Sequence, residues 1–202
     1  MFFVCYGGRL AKCDGWYYVK MTSTLEKNES FSSERLGFFP AWSVSVESLQ
    51  RNANDSAVAS GIGLEFPNPY TLDDAAWFIK FAKESWEKGT EYSFGIFDKE
   101  TKEFYGMIGF KKDGEEIKNI GYWLGREFWG KGYASEALRA ILVYLKTKLP
   151  GIQEIKARAY KYNKPSQRVL EKAGFVCVGE NATTEVLRNG EKSEEYIYSL
   201  KF

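Results

Sequence analysis

The chain has 202 residues and a mass of 23.1 kDa, with 44% hydrophobic and 27% charged residues, the composition of one soluble globular domain. A net charge of +1 supplies no broad basic field for nucleic acid. Histidine is absent, which excludes a Ser-His-Asp triad, a Cys-His pair and any His-bearing zinc site. The three cysteines, Cys5, Cys13 and Cys177, are odd in number and lack metal-ligand spacing, so a reducing compartment and no metal are expected. The apolar start MFFVCY is too short for a signal peptide and has no basic leader, and no later run approaches the ~18 apolar residues of a membrane span. A cytoplasmic protein with no membrane partner is expected.

Residues 1–36 read as an irregular N-terminal arm, with one short hairpin at Asp14-Gly15, and residues 37–202 as a single domain. Ser43 to Asn54 suits a short helix. Pro67-Asn68-Pro69-Tyr70 is a turn, and Thr71-Leu72-Asp73-Asp74 opens a helix, with Thr71 as cap and two acids at the positive end of the dipole. Ala75, Trp77, Phe78, Phe81, Ala82 and Trp86 recur at helical spacing. Three β-prone segments follow, at Tyr92 to Phe97, Phe104 to Phe110 and Ile117 to Leu124, joined by polar turns as an antiparallel meander.

The period then changes. Ala134, Ala137, Leu138, Ile141, Leu142 and Leu145 lie on one helix face, which Pro150-Gly151 ends. Ile152 to Tyr160 reads as a strand and Asn163 to Lys172 as a helix stopping before Gly174. Phe175 to Val186 and Glu195 to Leu200 read as strands joined through Arg188-Asn189-Gly190. The sum is a mixed α/β (α+β) sheet flanked by helices.

The segment Ile120 to Leu138, IGYWLGREFWGKGYASEAL, is where chemistry is expected. A strand runs into a glycine turn that opens a helix. Such a helix end carries about four unpaired N–H groups and about half a positive charge, which suits phosphate. Gly130 and Gly132 permit close backbone approach, and Lys131 is either a phosphate contact or a solvated turn cation. Gly125 to Lys131 fits a P-loop until Gly132 replaces its hydroxyl residue, and Ser135 breaks a dinucleotide G-x-G-x-x-G fingerprint. Glu136 in the first turn reads as favourable dipole placement, since a carboxylate aimed at phosphate would repel it. Asn163 and Ser166 read as helix caps that also meet a ligand. Tyr122, Trp123 and Trp129 are core or groove wall, and Pro69-Tyr70 is a turn before it is a substrate contact.

WGKGYASEAL, preceded by IGYWL, resembles the GNAT acetyltransferase superfamily. NKPSQRVLEKAGF at 163–175 resembles that family's second signature, and FPNPYTLDDA at 66–75 is similar to a segment of its Rim-type branch, which acts on ribosomal-protein N-termini. The resemblance covers roughly residues 38 to 202 and implies a mostly antiparallel sheet with one splayed parallel strand pair, ending here near Leu124 and Tyr160. It also implies acetyl-CoA as co-substrate. Pantetheine would lie along Tyr122, Trp123 and Leu124, and pyrophosphate on the N–H groups of Trp129, Gly130, Lys131, Gly132, Tyr133 and Ala134. Asn163 and Ser166 would make polar contacts near the thioester.

The implied reaction is direct attack of a primary amine on the thioester, the acceptor being a protein N-terminal α-amine or a small-molecule amine. Two usual family residues are replaced. Asn119 stands where many relatives have a glutamate base, and Leu170 where many have a tyrosine acid. Glu116 is set aside because strand alternation turns it away from position 119. Ser166, Tyr160, Tyr162 and Tyr122 remain as candidate catalytic groups. The alternative is a regulatory acetyl-CoA-binding domain without turnover. A homodimer is left open.

Overall fold

A computed structural model describes residues 25, 29–63, 66–113, 116–186 and 192–202, with side chains of 181–186 and 192–193 left aside. The hairpins expected at Asp14-Gly15 and at Arg188-Asn189-Gly190 lie outside these residues. Among the described residues, eight strands form one sheet: β1 (Phe31–Ser32), β2 (Leu36–Pro40), β3 (Glu91–Asp98), β4 (Phe104–Asp113), β5 (Glu116–Leu124), β6 (Glu154–Tyr160), β7 (Val176–Val186) and β8 (Lys192–Lys201). Their order is β1-β2-β3-β4-β5-β6-β8-β7. Every neighbouring pair is antiparallel except β5 and β6.

Among the described residues, five α-helices cover the two faces: α1 (Val46–Ala53), α2 (Ser56–Ile62), α3 (Leu72–Glu87), α4 (Tyr133–Lys148) and α5 (Lys164–Lys172). Strand alternation sorts the core. Ile120 and Leu124 of β5 join Leu138, Ile141 and Leu145 of α4 and Leu170 of α5. Trp123, one residue away, joins Leu49 of α1, Val58 of α2 and Ala75 of α3 on the other face. Gly106 of β4 allows the middle of the sheet to close: a Cβ there would sit 2.1 Å from the Trp123 carbonyl oxygen.

Three local readings change. Residues 31–36, read as the end of an irregular arm, form β1 and the turn into β2, because Phe38 and Phe94 bury the Phe31 ring between them and Tyr144. The first helix starts at Val46 rather than Ser43, because Ser45 caps it by accepting from the Ser48 N–H at 3.2 Å; a 3-10 turn occupies Ala41–Ser43. Helix α2 was not foreseen. Its start is set by Asp55, whose carboxylate accepts from the N–H groups of Ala57 and Val58. The Thr71 cap is as expected and is completed by Asp74 into a capping box.

Strand β5 contains a bulge. Lys111 faces Asn119, but Lys112 faces Ile117, so Lys118 is extra. Ile117 and Ile120 consequently point into the same core although three residues apart. The alternation that set Glu116 aside therefore does not hold across this bulge: Glu116 and Asn119 share a face. Glu116 nevertheless sits at the far start of the strand, exposed and ion-paired with Lys118.

Candidate functional site

β5 and β6 are hydrogen-bonded neighbours only through Ile117↔Ile155 and Ile120↔Ala157. Beyond that point each strand pairs only outward, β5 to β4 up to Leu124 and β6 to β8 up to Tyr160. The facing edges of 121–124 and 158–160 thus diverge into a cleft between the two central strands. At its mouth Gly125 is tied down by its N–H to the Tyr105 carbonyl at 2.8 Å, and the Trp129 indole N–H donates to the Leu124 carbonyl at 2.7 Å. The Leu124 carbonyl is therefore already engaged, and because the Gly125–Tyr105 bond sets the alternation of the β4–β5 ladder, the Trp123 backbone is turned toward β4, which leaves the Tyr122 backbone and the Leu124 N–H facing the cleft.

The turn after β5 presents a row of backbone donors. Gly130 and Gly132 have φ of 75° and 82°, left-handed values that L side chains resist. The first backbone bond of α4 is Glu136 N–H to the Gly132 carbonyl at 3.1 Å. Among the described residues, the N–H groups of 130–135 find no hydrogen-bond acceptor. The Trp129 N–H, expected in this series, donates instead to the Arg126 carbonyl because a 3-10 turn at Arg126–Phe128 precedes it. Successive free donors at a helix N-terminus suit phosphate or pyrophosphate oxygens. Lys131 is exposed, its ammonium 5.8 Å from the Phe128 ring centre, and Tyr133 and Ala134 are half-buried as the helix begins.

Glu136 does more than complement the dipole. Its Oε1 accepts from Ser33 Oγ at 2.7 Å and from the Arg35 N–H at 2.8 Å, and its Oε2 from Arg35 Nε at 2.7 Å. Burial pushes its carboxyl up, but the donors from Ser33 and Arg35 outweigh this and hold it below the usual carboxylate range. Arg35 was missed in the sequence because it lies in the supposed arm, far from the glycine turn in the chain.

The candidate catalytic residues divide between the faces. The Tyr122 hydroxyl lies 3.1 Å from Ser166 Oγ on the α4–α5 side. Burial pushes the Tyr122 phenol far above its usual range, and the Ser166 contact opposes this only partly. Tyr122 is thus a proton donor, not a base, near neutrality. Tyr160 points to the other face, where its hydroxyl would lie 2.7 Å from a Cβ at Gly63, and its ring stacks on Tyr162 at 5.1 Å.

Asn163 caps α5 by accepting from the Ser166 N–H at 3.1 Å, and its Nδ2 donates to the Gly61 carbonyl of α2 at 3.3 Å. Gln167, also unforeseen, is buried and donates to the carbonyls of Tyr160 and Lys161 at the end of β6. Leu170 is packed in the core. Trp123 makes edge contacts with Phe66 and Phe104 across from α1. Pro69-Tyr70 is a packed turn: the Tyr70 N–H donates to Asn54 Oδ1 and its carbonyl accepts from Gln50 Nε2. Asn119 has a buried Oδ1 without a hydrogen-bond partner among the described residues and lies on the face of Trp123.

A family model described as "Acetyltransferase (GNAT) domain" matches residues 35–176. The chain is 34% identical over 140 residues to the uncharacterized N-acetyltransferase p20 of Bacillus licheniformis, covering 65% of this chain and 75% of that protein. It is 32% identical over 117 residues to the ribosomal protein uS5-alanine N-acetyltransferase of Escherichia coli (strain K12), covering 56% of this chain and 59% of the relative. Among solved structures, the microcin C7 self-immunity acetyltransferase MccE, crystallised with acetyl-CoA and AMP, matches with a TM-score of 0.70 and 22% identity over 91% of this chain and 98% of that one. The free N–H groups of 130–135 at the open end of a splayed strand pair fit the pyrophosphate of acetyl-CoA. The chain belongs to the GNAT acetyltransferase family, whose reaction moves an acetyl group from acetyl-CoA to an amine.

Proposed function

We propose that the acceptor is a weakly basic primary amine, a protein N-terminal α-amine or a small-molecule amine, that attacks the acetyl thioester directly. The observation that carries this reading is Asn119. It stands where a carboxylate base is common, its Oδ1 is buried and unpartnered, and the one carboxylate of β5, Glu116, is exposed and ion-paired away from the cleft. Asparagine accepts a hydrogen bond from an amine but cannot take its proton. The amine must therefore arrive neutral or lose its proton to water. At pH 7 that costs roughly 1 kcal/mol for an α-amine of pKa near 7.7–8.0 and about 5 kcal/mol for a lysine. Support for an N-terminal acceptor also comes from the relative that acts on the alanine of ribosomal protein uS5.

In this reading the cleft-facing backbone of Tyr122 and the Leu124 N–H align the pantetheine arm and offer an N–H to the thioester oxygen. The N–H groups from Gly130 to Ala134 hold the pyrophosphate. Tyr122, hydrogen-bonded to Ser166, delivers a proton to the departing thiolate. Asn163 acts through its cap on Ser166, and Tyr160 shapes the acceptor wall beside Gly63. A cytoplasmic setting is supported by an odd set of three cysteines, of which Cys177 is free and exposed. A homodimer would use the β7 edge, where Val176 and Val178 are exposed. The test is coenzyme A release with peptides carrying either a free α-amine or only a lysine amine, beside small amines. Faster turnover on α-amines or small amines is expected; equal or faster lysine turnover would refute the assignment.

A further inference from the structure

The glycine turn is held from outside its own chain neighbourhood as well as from within it. Arg35, from the β1–β2 hairpin, grips it. The guanidinium places Nε and Nη2 each 2.7 Å from Glu136 Oε2, and Nη1 donates to the Lys131 carbonyl at 3.3 Å. Its carbon lies 4.6 Å from the centre of the Tyr133 ring, and Nη2 would be 3.6 Å from a Cβ on Gly132. The base of the hairpin is itself tied down: Ser33 Oγ donates to Glu136, the Ser33 N–H bonds the Leu36 carbonyl, and the Lys99 N–H bonds the Arg35 carbonyl.

Two physical consequences follow from this placement. First, a trans peptide holds its C=O and N–H in opposite directions. Drawing the Lys131 carbonyl toward Arg35 aims the Gly132 N–H away from Arg35, toward the open side of the turn. Second, Glu136 sits one helical turn from the free N–H groups. An unpaired carboxylate there would cancel the positive end of the helix and repel a bound phosphate. Arg35 forms a charge-assisted fork with it and removes that repulsion.

We infer that Arg35 is a positioning residue for acetyl-CoA: it orients the 131–132 peptide and neutralises Glu136, so that the pyrophosphate turn works only with the N-terminal hairpin docked. The inference rests on the reading that residues 130–134 hold the pyrophosphate. Arg35 acts on affinity for acetyl-CoA, not on the acetyl-transfer step.

The test is titration calorimetry with acetyl-CoA, together with steady-state kinetics, on the wild type, R35M, R35K and the double variant R35M/E136Q. R35M is expected to weaken acetyl-CoA binding at least about tenfold, raising its KM with kcat at saturation within about threefold. R35K retains the charge and falls between. R35M/E136Q recovers part of the lost affinity, because the repelling carboxylate has gone with its partner. A hairpin needed only for folding gives the opposite pattern: the double variant, having lost both partners, binds no better than R35M. That outcome, or R35M binding within about twofold of wild type, overturns the inference. If the wild type itself does not bind acetyl-CoA, the pyrophosphate reading fails instead, and the two failures are distinguished.

Discussion

The hydroxyl of Tyr122 and the Oγ of Ser166 lie 3.1 Å apart, joining the strand at the cleft to the first turn of α5. Tyr122 also donates toward the Ser166 carbonyl at 3.3 Å, so its ring is held at both ends, by the core and by the helix. A phenol kept protonated by burial can serve a leaving thiolate; it cannot serve an ammonium. Y122F should lower kcat by about 10²-fold, in the range of general acid catalysis, with little change in the KM for acetyl-CoA. S166A should lower it less, because the phenol remains. Stopped assays of coenzyme A release decide this, and a Y122F enzyme with full kcat would remove Tyr122 from the reaction.

The glycines of the turn are constrained for separate reasons. At Gly130 a Cβ meets nothing within 4 Å, so only its φ of 75° resists substitution; at Gly132, with φ of 82°, a Cβ would approach Arg35 at 3.6 Å. G132A should cost about 1–2 kcal/mol in backbone strain and abolish most of the thermal stabilisation given by acetyl-CoA. G130A should carry a similar strain with a smaller loss of ligand stabilisation. Melting curves with and without acetyl-CoA separate the two effects. An unchanged ligand shift in G132A would mean that the turn does not carry the cofactor.

Glu91 gives stability a pH dependence remote from catalysis. It is 3% exposed with Oε1 unpaired, and burial raises its carboxyl from 4.5 to about 8, against the opposing charge of Lys111 across the strand pair. A carboxyl raised in the folded state binds its proton more tightly there than in the unfolded chain. Its favourable contribution is complete below pH 4.5 and is lost as pH rises through about 8. E91Q, which stays neutral, should show a smaller loss of Tm between pH 5 and pH 9 than wild type, a relative gain on the order of 4 kcal/mol across the full window. Parallel Tm–pH curves for the two proteins would contradict a raised Glu91.

Asn119 should set the pH profile of turnover. Without a side-chain base, kcat/KM for a peptide α-amine should rise with pH until the amine itself is neutral, near ~8. N119E places a carboxylate on the acceptor face beside Trp123. It should raise the rate at pH 6.5 by about tenfold or more, with the larger relative gain on lysine acceptors. A wild-type profile that levels well below the pKa of the acceptor would reveal a base elsewhere.

Much of the architecture was legible in the chain because local rules and tertiary packing agree there. The Thr71 and Asn163 caps, the apolar stripe of α4 and the glycine turn after IGYWL all act within a few residues. Helix α2 and strand β2 were not legible. SAVASGI is too short to display a period, and LGFFP owes its extended form to pairing with residues 94–98, far along the chain. The bulge at Lys118 was equally hidden, since it depends on how β5 registers against β4.

The sequence by itself determined the family, the place of the glycine turn after β5 and the presence of Asn119 where many relatives carry a glutamate, because each is a matter of residue identity and close spacing. Only the tertiary structure decided that Tyr122 meets Ser166 while Tyr160 turns to the opposite face, and that Arg35 reaches Glu136 across 101 residues. Those relations are set by sheet register and by docking of the hairpin on α4, which arise from long-range packing and leave no mark in any short stretch of sequence.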